Sequence, residues 1–233
     1  MGSKKAPKNR YVKNSRLSER KFRELPRLFR ADAAALSAAS PTGLNRDTAN
    51  RHHGMLRARI AEACEADGPF DGEVEAGESY FGARRARGAR GRGARGETIV
   101  SGPPKRGGKV YTRIAPDVTR GTSTRVIEGK ASKDPIMCTG GFASHDGLVG
   151  WGCKHHYRVS HGENESVERG NPGKLIDGIE SFWGYAKSRL VKYQGMPNED
   201  SYLHLKECEF RFNMRGRDMY RFLLRELRER PLN

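Results

Sequence analysis

Long apolar runs are missing from this chain. Nothing in its 233 residues approaches the roughly 20 consecutive apolar residues that cross a bilayer, and no apolar core of a secretion signal follows the N-terminus. The expected location is therefore inside the cell. Cysteine is sparse: Cys64, Cys138, Cys153 and Cys208 are widely scattered, with no C-x-x-C pair. That spacing argues against a zinc ribbon and for free, mostly buried thiols. The seven histidines show no H-E-x-x-H spacing. His155 and His156 are neighbours in a candidate strand, where successive side chains point to opposite faces, which disfavours a metal cluster with His161. Negative charge is also short, with 28 Asp and Glu against 44 Lys and Arg.

The surplus leaves a net charge of +16 and a pI near 10.0. Such a balance suits a polyanion, because Lys and Arg that neutralise phosphates release counterions and gain salt-dependent affinity. Nucleic acid is the expected partner. The length allows one large domain with an appendage, or two modest domains, each able to bury a core.

Residues 1–16 form a basic, flexible tail on this reading, with little apolar content. A helix-turn-helix domain is expected over 17–67. Ser18 is a candidate N-cap for a helix that turns Phe22, Leu25 and Phe29 inward, and Pro26 is expected to kink or split it. An alanine-rich segment, a Pro41-Thr42-Gly43 turn and a helix from Asn45 to about Ala66 follow. If that helix enters a major groove, Arg46, Asn50 and Arg51 are the base readers, with Arg57 and Arg59 on phosphates. A plain helical hairpin is the blander alternative.

Asp67-Gly68-Pro69 marks a domain boundary, and residues 70–233 read as a second domain. EVEAGESYFG opens it as an alternating strand, with Gly77 out of place, since glycine weakens strands unless backbone must come close. Between residues 84 and 95, Arg84, Arg85, Arg87, Arg90, Arg92 and Arg95 alternate with glycines, a loop suited to nucleic-acid backbone. Thr98–Gly102 and Lys109–Ala115 read as a hairpin, Thr119–Lys130 as a helix, and Pro135–Cys138 and HYRVSH as strands. The stretch KLIDGIESFWGYAKSRLVKYQ reads as a helix with Ile176, Ile179, Trp183, Ala186 and Leu190 inward. Its Asp177 and Glu180 lie three residues apart, on a neighbouring strip of that helix. Helices over Ser201–Asn213 and Asp218–Arg230 close the chain. Strands followed by helices around one sheet indicate an α/β or α+β fold.

Seven blocks in order (EVEAGESYFGARR, GRGARGETIV, KRGGKVYTRIAPDV, HDGLV, HYRVSHGENE, GIESFWGYAKSRL and LHLKECEFRFN) resemble bacterial insertion-sequence transposases of the ISXO-like group. GLNRDTANR is similar to the N-terminal domain of that family. The resemblance implies an α/β fold, an RNase-H-like mixed sheet flanked by helices, with an N-terminal all-α helix-turn-helix domain. It also implies a DDE-type carboxylate site holding Mg²⁺ or Mn²⁺, double-stranded DNA as partner (element ends and target), and a homodimer or larger assembly on that DNA. A cytoplasmic, nucleoid-associated protein is what it suggests.

At two places this sequence departs from its relatives. Where the family carries its first metal aspartate, before the Glu of ESYFG, this chain has Gly77, and where the second belongs it has Gly140. The third position falls on Glu180 or Asp177, of which Glu180 is the closer match. Glu78 should point to the face opposite Gly77, Glu75 lies about 6.5 Å away along a strand, and Asp146 would need an unexpected loop path. Weak or absent strand transfer is therefore expected. The competing reading is a non-catalytic DNA-binding protein derived from a transposase, a repressor or partner of active copies. A weaker third is RNA binding through the Arg/Gly loop.

Overall fold

The computed structural model describes residues 9–67, 73–82, 97–102, 104–105, 109–115, 136–140, 155–159, 173–193 and 198–233. Two compact units divide the chain, one of residues 1–62 with 214–233 and one of residues 63–213. The expected helix at 119–130 and the loop at 84–95 lie outside the described residues.

The first unit is helical. In α1 (Glu19–Arg30) the Ser18 hydroxyl accepts a bond from the Lys21 N–H, Glu19 sits in the first turn and Arg27 and Arg30 in the last, all favourable to the helix dipole. Phe22, Leu25 and Phe29 are buried, as their spacing predicts. Pro26, expected to break the helix, lies buried inside an unbroken one. An interior proline costs about 3 kcal/mol, whereas three large buried side chains contribute about 1.5–3 kcal/mol each. Packing outweighs the lost bond.

Helix α2 (Ala35–Thr42) runs through Pro41 and stops at Gly43, whose φ of +57° is the left-handed conformation glycine adopts without strain. Ala35 and Ala39 cluster with Ala49 of α3 (Arg46–Ala66), small residues that let two helices approach closely. The Asn45 side chain accepts from the Thr48 N–H at 2.7 Å and caps α3.

The last helix, which we label α6 (Met219–Glu229), packs Met219, Leu223 and Leu227 into this same unit, against α1. Where a second domain over 70–233 was expected, residues 214–233 group instead with the N-terminal helices. Residues 9–16, expected as flexible tail, are also held here. Tyr11 and Val12 are buried, and Tyr11 stacks on Phe22 at 5.7 Å. The Lys13 N–H donates to the Leu232 carbonyl, and the Leu232 N–H to that of Tyr11, each at 2.8 Å. A pairing across more than two hundred residues leaves no local signature.

The second unit carries a five-stranded mixed sheet in the order β5-β2-β1-β6-β7, from β1 (Glu73–Gly82), β2 (Glu97–Gly102), β5 (Arg113–Ala115), β6 (Ile136–Gly140) and β7 (His155–Val159). β1 runs parallel to β6 and antiparallel to β2, β2 is antiparallel to β5, and β6 is parallel to β7. The strand expected at Lys109–Ala115 is divided: β4 (Lys109–Val110) pairs with β3 (Pro104–Lys105), and β5 with β2. Side chains from α5 (Asn198–Asn213) occupy the break. Asn213 exchanges two bonds with the Val110 backbone at 2.7 Å, and the Glu209 carboxylate accepts from the N–H and hydroxyl of Thr112 at 2.8 and 2.7 Å.

Helix α4 (Gly173–Leu190) lies on β1 and β6. Ile179, Trp183 and Ala186 are buried as expected. Phe182, absent from the expected stripe, is fully buried and sits edge-on to Phe212 at 5.3 Å. Residue 182 therefore widens the apolar stripe into the broader face of a helix packed on two sides.

α5 is unusual in burying its charges. Lys206 is wholly enclosed, 2.7 Å from Glu65, 3.0 Å from Glu209 and 4.0 Å from the centre of the Tyr111 ring. Beside it Arg189 and Arg211 both pair with Glu207. Burial pushes the Glu209 carboxyl up, despite the bonds from Lys206 and Thr112 that favour its charge. Burial also pushes Glu65 up, but Lys206, Tyr111 and Tyr202 together outweigh it and hold that carboxyl below its ordinary value. Lys206→Met removes the cation and leaves Glu209 buried without it, an expected loss of about 3–5 kcal/mol in urea unfolding. Adding Glu209→Gln to it should recover much of that loss. Glu65, with its carboxyl depressed, contributes stability above its unfolded value near 4.5 that fades as pH falls. Glu65→Gln should accordingly lower the urea midpoint at pH 7 and lower it less as the pH is taken down through the acid range.

Candidate carboxylate site and nucleic-acid interface

Strand β1 changes partner midway. Residues 73–76 pair with β6, from Glu73–Ile136 to Ala76–Thr139, and residues 77–82 pair with β2, from Gly77–Gly102 to Gly82–Glu97. The residue after Ala76 is Gly77 and the residue after Thr139 is Gly140, so the two glycines follow the last registered pair in adjacent parallel strands. With Gly102 across β2, glycine occupies neighbouring positions on three strands.

Helix α4, which lies on these two strands, brings the third candidate position to them. Glu180 is exposed on that helix, one residue beyond buried Ile179. Asp177 lies in the same helix, but its side chain is outside the described structure. The topology thus gathers Gly77, Gly140 and the Asp177–Glu180 segment onto mutually packed elements.

These residues do not fit a two-metal clamp. Mg²⁺ takes hard oxygen ligands, and glycine at both strand positions supplies no side-chain oxygen. Among the described residues no three His, Cys, Asp or Glu side chains come together as a metal cluster. Cys64 and Cys208 are buried, free thiols, and burial raises the pKa of both, so neither offers a thiolate. Asp146 and His161 lie outside the described residues, as do the six arginines between 84 and 95. His155 and His156 are consecutive in β7.

On the first unit, Arg46, Asn50 and Arg51 are exposed in the first turns of α3. Arg57, expected on phosphate, is only 8% exposed, with its guanidinium packed 5.8 Å from the centre of the Phe29 ring. Arg59 is bound to Glu62 at 3.1 Å. Sequence spacing did not separate Arg57 from the exposed arginines of α3, because residue type alone does not record which side of a helix packs.

A mixed five-stranded sheet with α4 packed on β1 and β6, in one chain with a helical basic unit, is the arrangement that the comparisons with known proteins meet. The ISXO2-like transposase domain matches residues 69–213, and the chain belongs to that family. An uncharacterized transposase-like protein of Haemophilus influenzae (strain ATCC 51907 / DSM 11121 / KW20 / Rd) is 38% identical over 105 residues, 45% of this chain and 81% of that protein. Among solved structures, the catalytic core domain of BIV integrase aligns at 12% identity and a TM-score of 0.35 over 58% of this chain and 80% of its own. A pre-cleavage Mos1 transpososome aligns at 12% identity and 0.29 over 94% of this chain and 82% of its own. At values this low, the family match remains the ground for the assignment. No helix among the described residues is long and apolar enough to cross a membrane.

Arg57→Ala should lower stability by about 1–2 kcal/mol, because it removes the guanidinium from the Phe29 ring and the packing of its stem. Arg51→Ala, exposed on the same helix, should stay within about 0.5 kcal/mol. Urea unfolding of the two variants side by side checks the assignment.

Proposed function

We propose that this chain is an insertion-sequence transposase by descent that binds DNA while its metal-dependent cleavage site is incomplete. The observation that carries the reading is the placement of Gly77 and Gly140 directly after a registered pair of adjacent parallel strands. The family's first two metal aspartates fall on these two positions, and an RNase-H-like sheet would need carboxylates there. The strand order, with three antiparallel neighbours continuing into two parallel ones, supports that fold.

In an intact site of this class, paired divalent ions would offset charge on a phosphodiester as it is cut. Here Glu180, with Asp177 as the alternative, is the remaining candidate ligand on α4, and one or two carboxylates cannot hold such a pair. What the chain keeps is an interaction with duplex DNA, for which its charge of +16 and the exposed Arg46, Asn50 and Arg51 are suited. The arginines between 84 and 95 would add contacts to the backbone. In this state the protein would occupy element ends, as a homodimer or larger assembly on DNA, and act as a repressor or partner of active copies.

Gly77→Asp with Gly140→Asp tests the reading. The double variant should take up Mg²⁺ or Mn²⁺ in titration calorimetry and nick DNA carrying its terminal repeats, and each single variant should stay inert. The unaltered chain should bind the same DNA without nicking it. Nicking by the unaltered chain, or an inert double variant, would overturn the account of the lost site.

A further inference from the structure

Charge is divided unequally between the two units. Residues 1–62 with 214–233 hold 21 Lys and Arg against 8 Asp and Glu, a net +13 of the chain's +16. The sheet-bearing unit, although nearly twice as long and carrying the arginine-rich segment, is left with +3. Most of the excess therefore belongs to one small helical unit.

Within that unit the arginines are patterned. On α1, Arg20, Arg23, Arg27 and Arg30 are all exposed and recur at intervals of three, four and three, which places them along one strip of the helix. On α6, Arg221, Arg225 and Arg228 are exposed at intervals of four and three, a second strip. The helices pack against each other, and Tyr220 of α6 stands at the meeting line. The Arg27 guanidinium lies 5.5 Å from the centre of its ring, and the same tyrosine adjoins Arg23 and favours its charged form. Two arginine strips, from opposite ends of the chain, thus lie on helices that pack against each other, with Tyr220 touching the first strip.

We infer that this α1–α6 face is a second DNA-contacting surface, which takes the phosphodiester backbone of a duplex without reading its sequence. The inference rests on DNA being the chain's partner, and it assigns a surface separate from the N-terminal turns of α3. Arg20 to Arg30 spans about 15 Å at 1.5 Å per residue, a length over which a duplex presents about nine phosphate charges at one per 1.7 Å. Strips of guanidinium groups carried on packed helices match such a uniform, extended polyanion, and arginine forks bind phosphate oxygens in pairs. Arg27 meets Glu24 at 3.1 Å and Arg221 meets Asp218 at 3.3 Å, with both partners substantially exposed in each case. Such pairs hold weakly in water and exchange readily for a phosphate. The face exists only because the C-terminal helix joins the N-terminal unit.

The test is the salt dependence of duplex binding by the full chain, read by fluorescence anisotropy on a DNA of unrelated sequence. Arg23→Gln, Arg27→Gln, Arg221→Gln and Arg225→Gln together should weaken binding equally on every sequence. The slope of log K against log salt should fall by about 0.9 for each phosphate no longer neutralised. The same four positions changed to Lys keep the charge and should keep the slope. Circular dichroism confirms that both variants are folded, and the pair Arg23→Gln with Arg225→Gln gives a smaller drop if the fourfold change unfolds the unit. An unchanged slope in folded Gln variants, with Arg46→Gln and Arg51→Gln abolishing it, would sink this surface and leave DNA binding through α3 intact. Tighter binding to single-stranded RNA than to the duplex would overturn it too. No duplex binding by the unaltered chain would overturn both this inference and the DNA-binding part of the proposed function.

Discussion

Lys206 is the pin of the sheet-bearing unit. An ammonium taken fully out of water is tolerated only with charge and hydrogen-bond partners around it, and here it meets Glu65 from the end of α3, Glu209 from its own helix and the face of Tyr111. Glu209 in turn accepts both bonds from Thr112, where the strand run divides into β4 and β5. One buried cation thereby ties the last turn of α3, helix α5 and the strand break into a single arrangement. Hydrophobic packing alone would hold α5 near these elements, but directional bonds set its rotation, and with it the Phe212 and Leu205 side of the core shared with α4.

That arrangement places α4 on β1 and β6, and so determines what lies near the strand ends. Glycine at 77 and 140 is a small cost to the scaffold. Glycine in a strand interior costs about 0.5–1 kcal/mol relative to alanine, small against a domain stability of about 5–15 kcal/mol. A ligand lost from a metal site has no such margin, since the ion's affinity depends directly on its donor set. On the proposed function, fold and chemistry would therefore part company at two residues, and a DNA affinity resting on many dispersed arginines would be insensitive to either.

Local pattern carried far. The helices over 19–30, 46–66, 198–213 and 219–229 were legible as helical runs, the first with Ser18 as cap, and strand β6 as a short apolar run. The site was legible only through the ordered sequence blocks, because no carboxylate spacing points to a missing residue. Pro26 and Arg57 misled for one reason: propensity and charge describe a residue alone, whereas burial of Phe22, Leu25 and Phe29 overrode the first and enclosed the second. Lys206 and Glu209 gave no signal either, since K-x-x-E on a helix ordinarily reads as a solvated pair.

By itself, then, the sequence determined the helices, several strands and a net charge of +16 suited to a polyanion, and it placed glycine at 77 and 140. Only the tertiary structure decided that residues 9–16 and 214–233 close on the N-terminal helices, that +13 of the net charge gathers there, and that Gly77 and Gly140 follow a registered pair in neighbouring strands. Elements form by contacts a few residues apart, which periodicity records. Which elements meet depends on surfaces brought together across the whole chain, and no local interval encodes them.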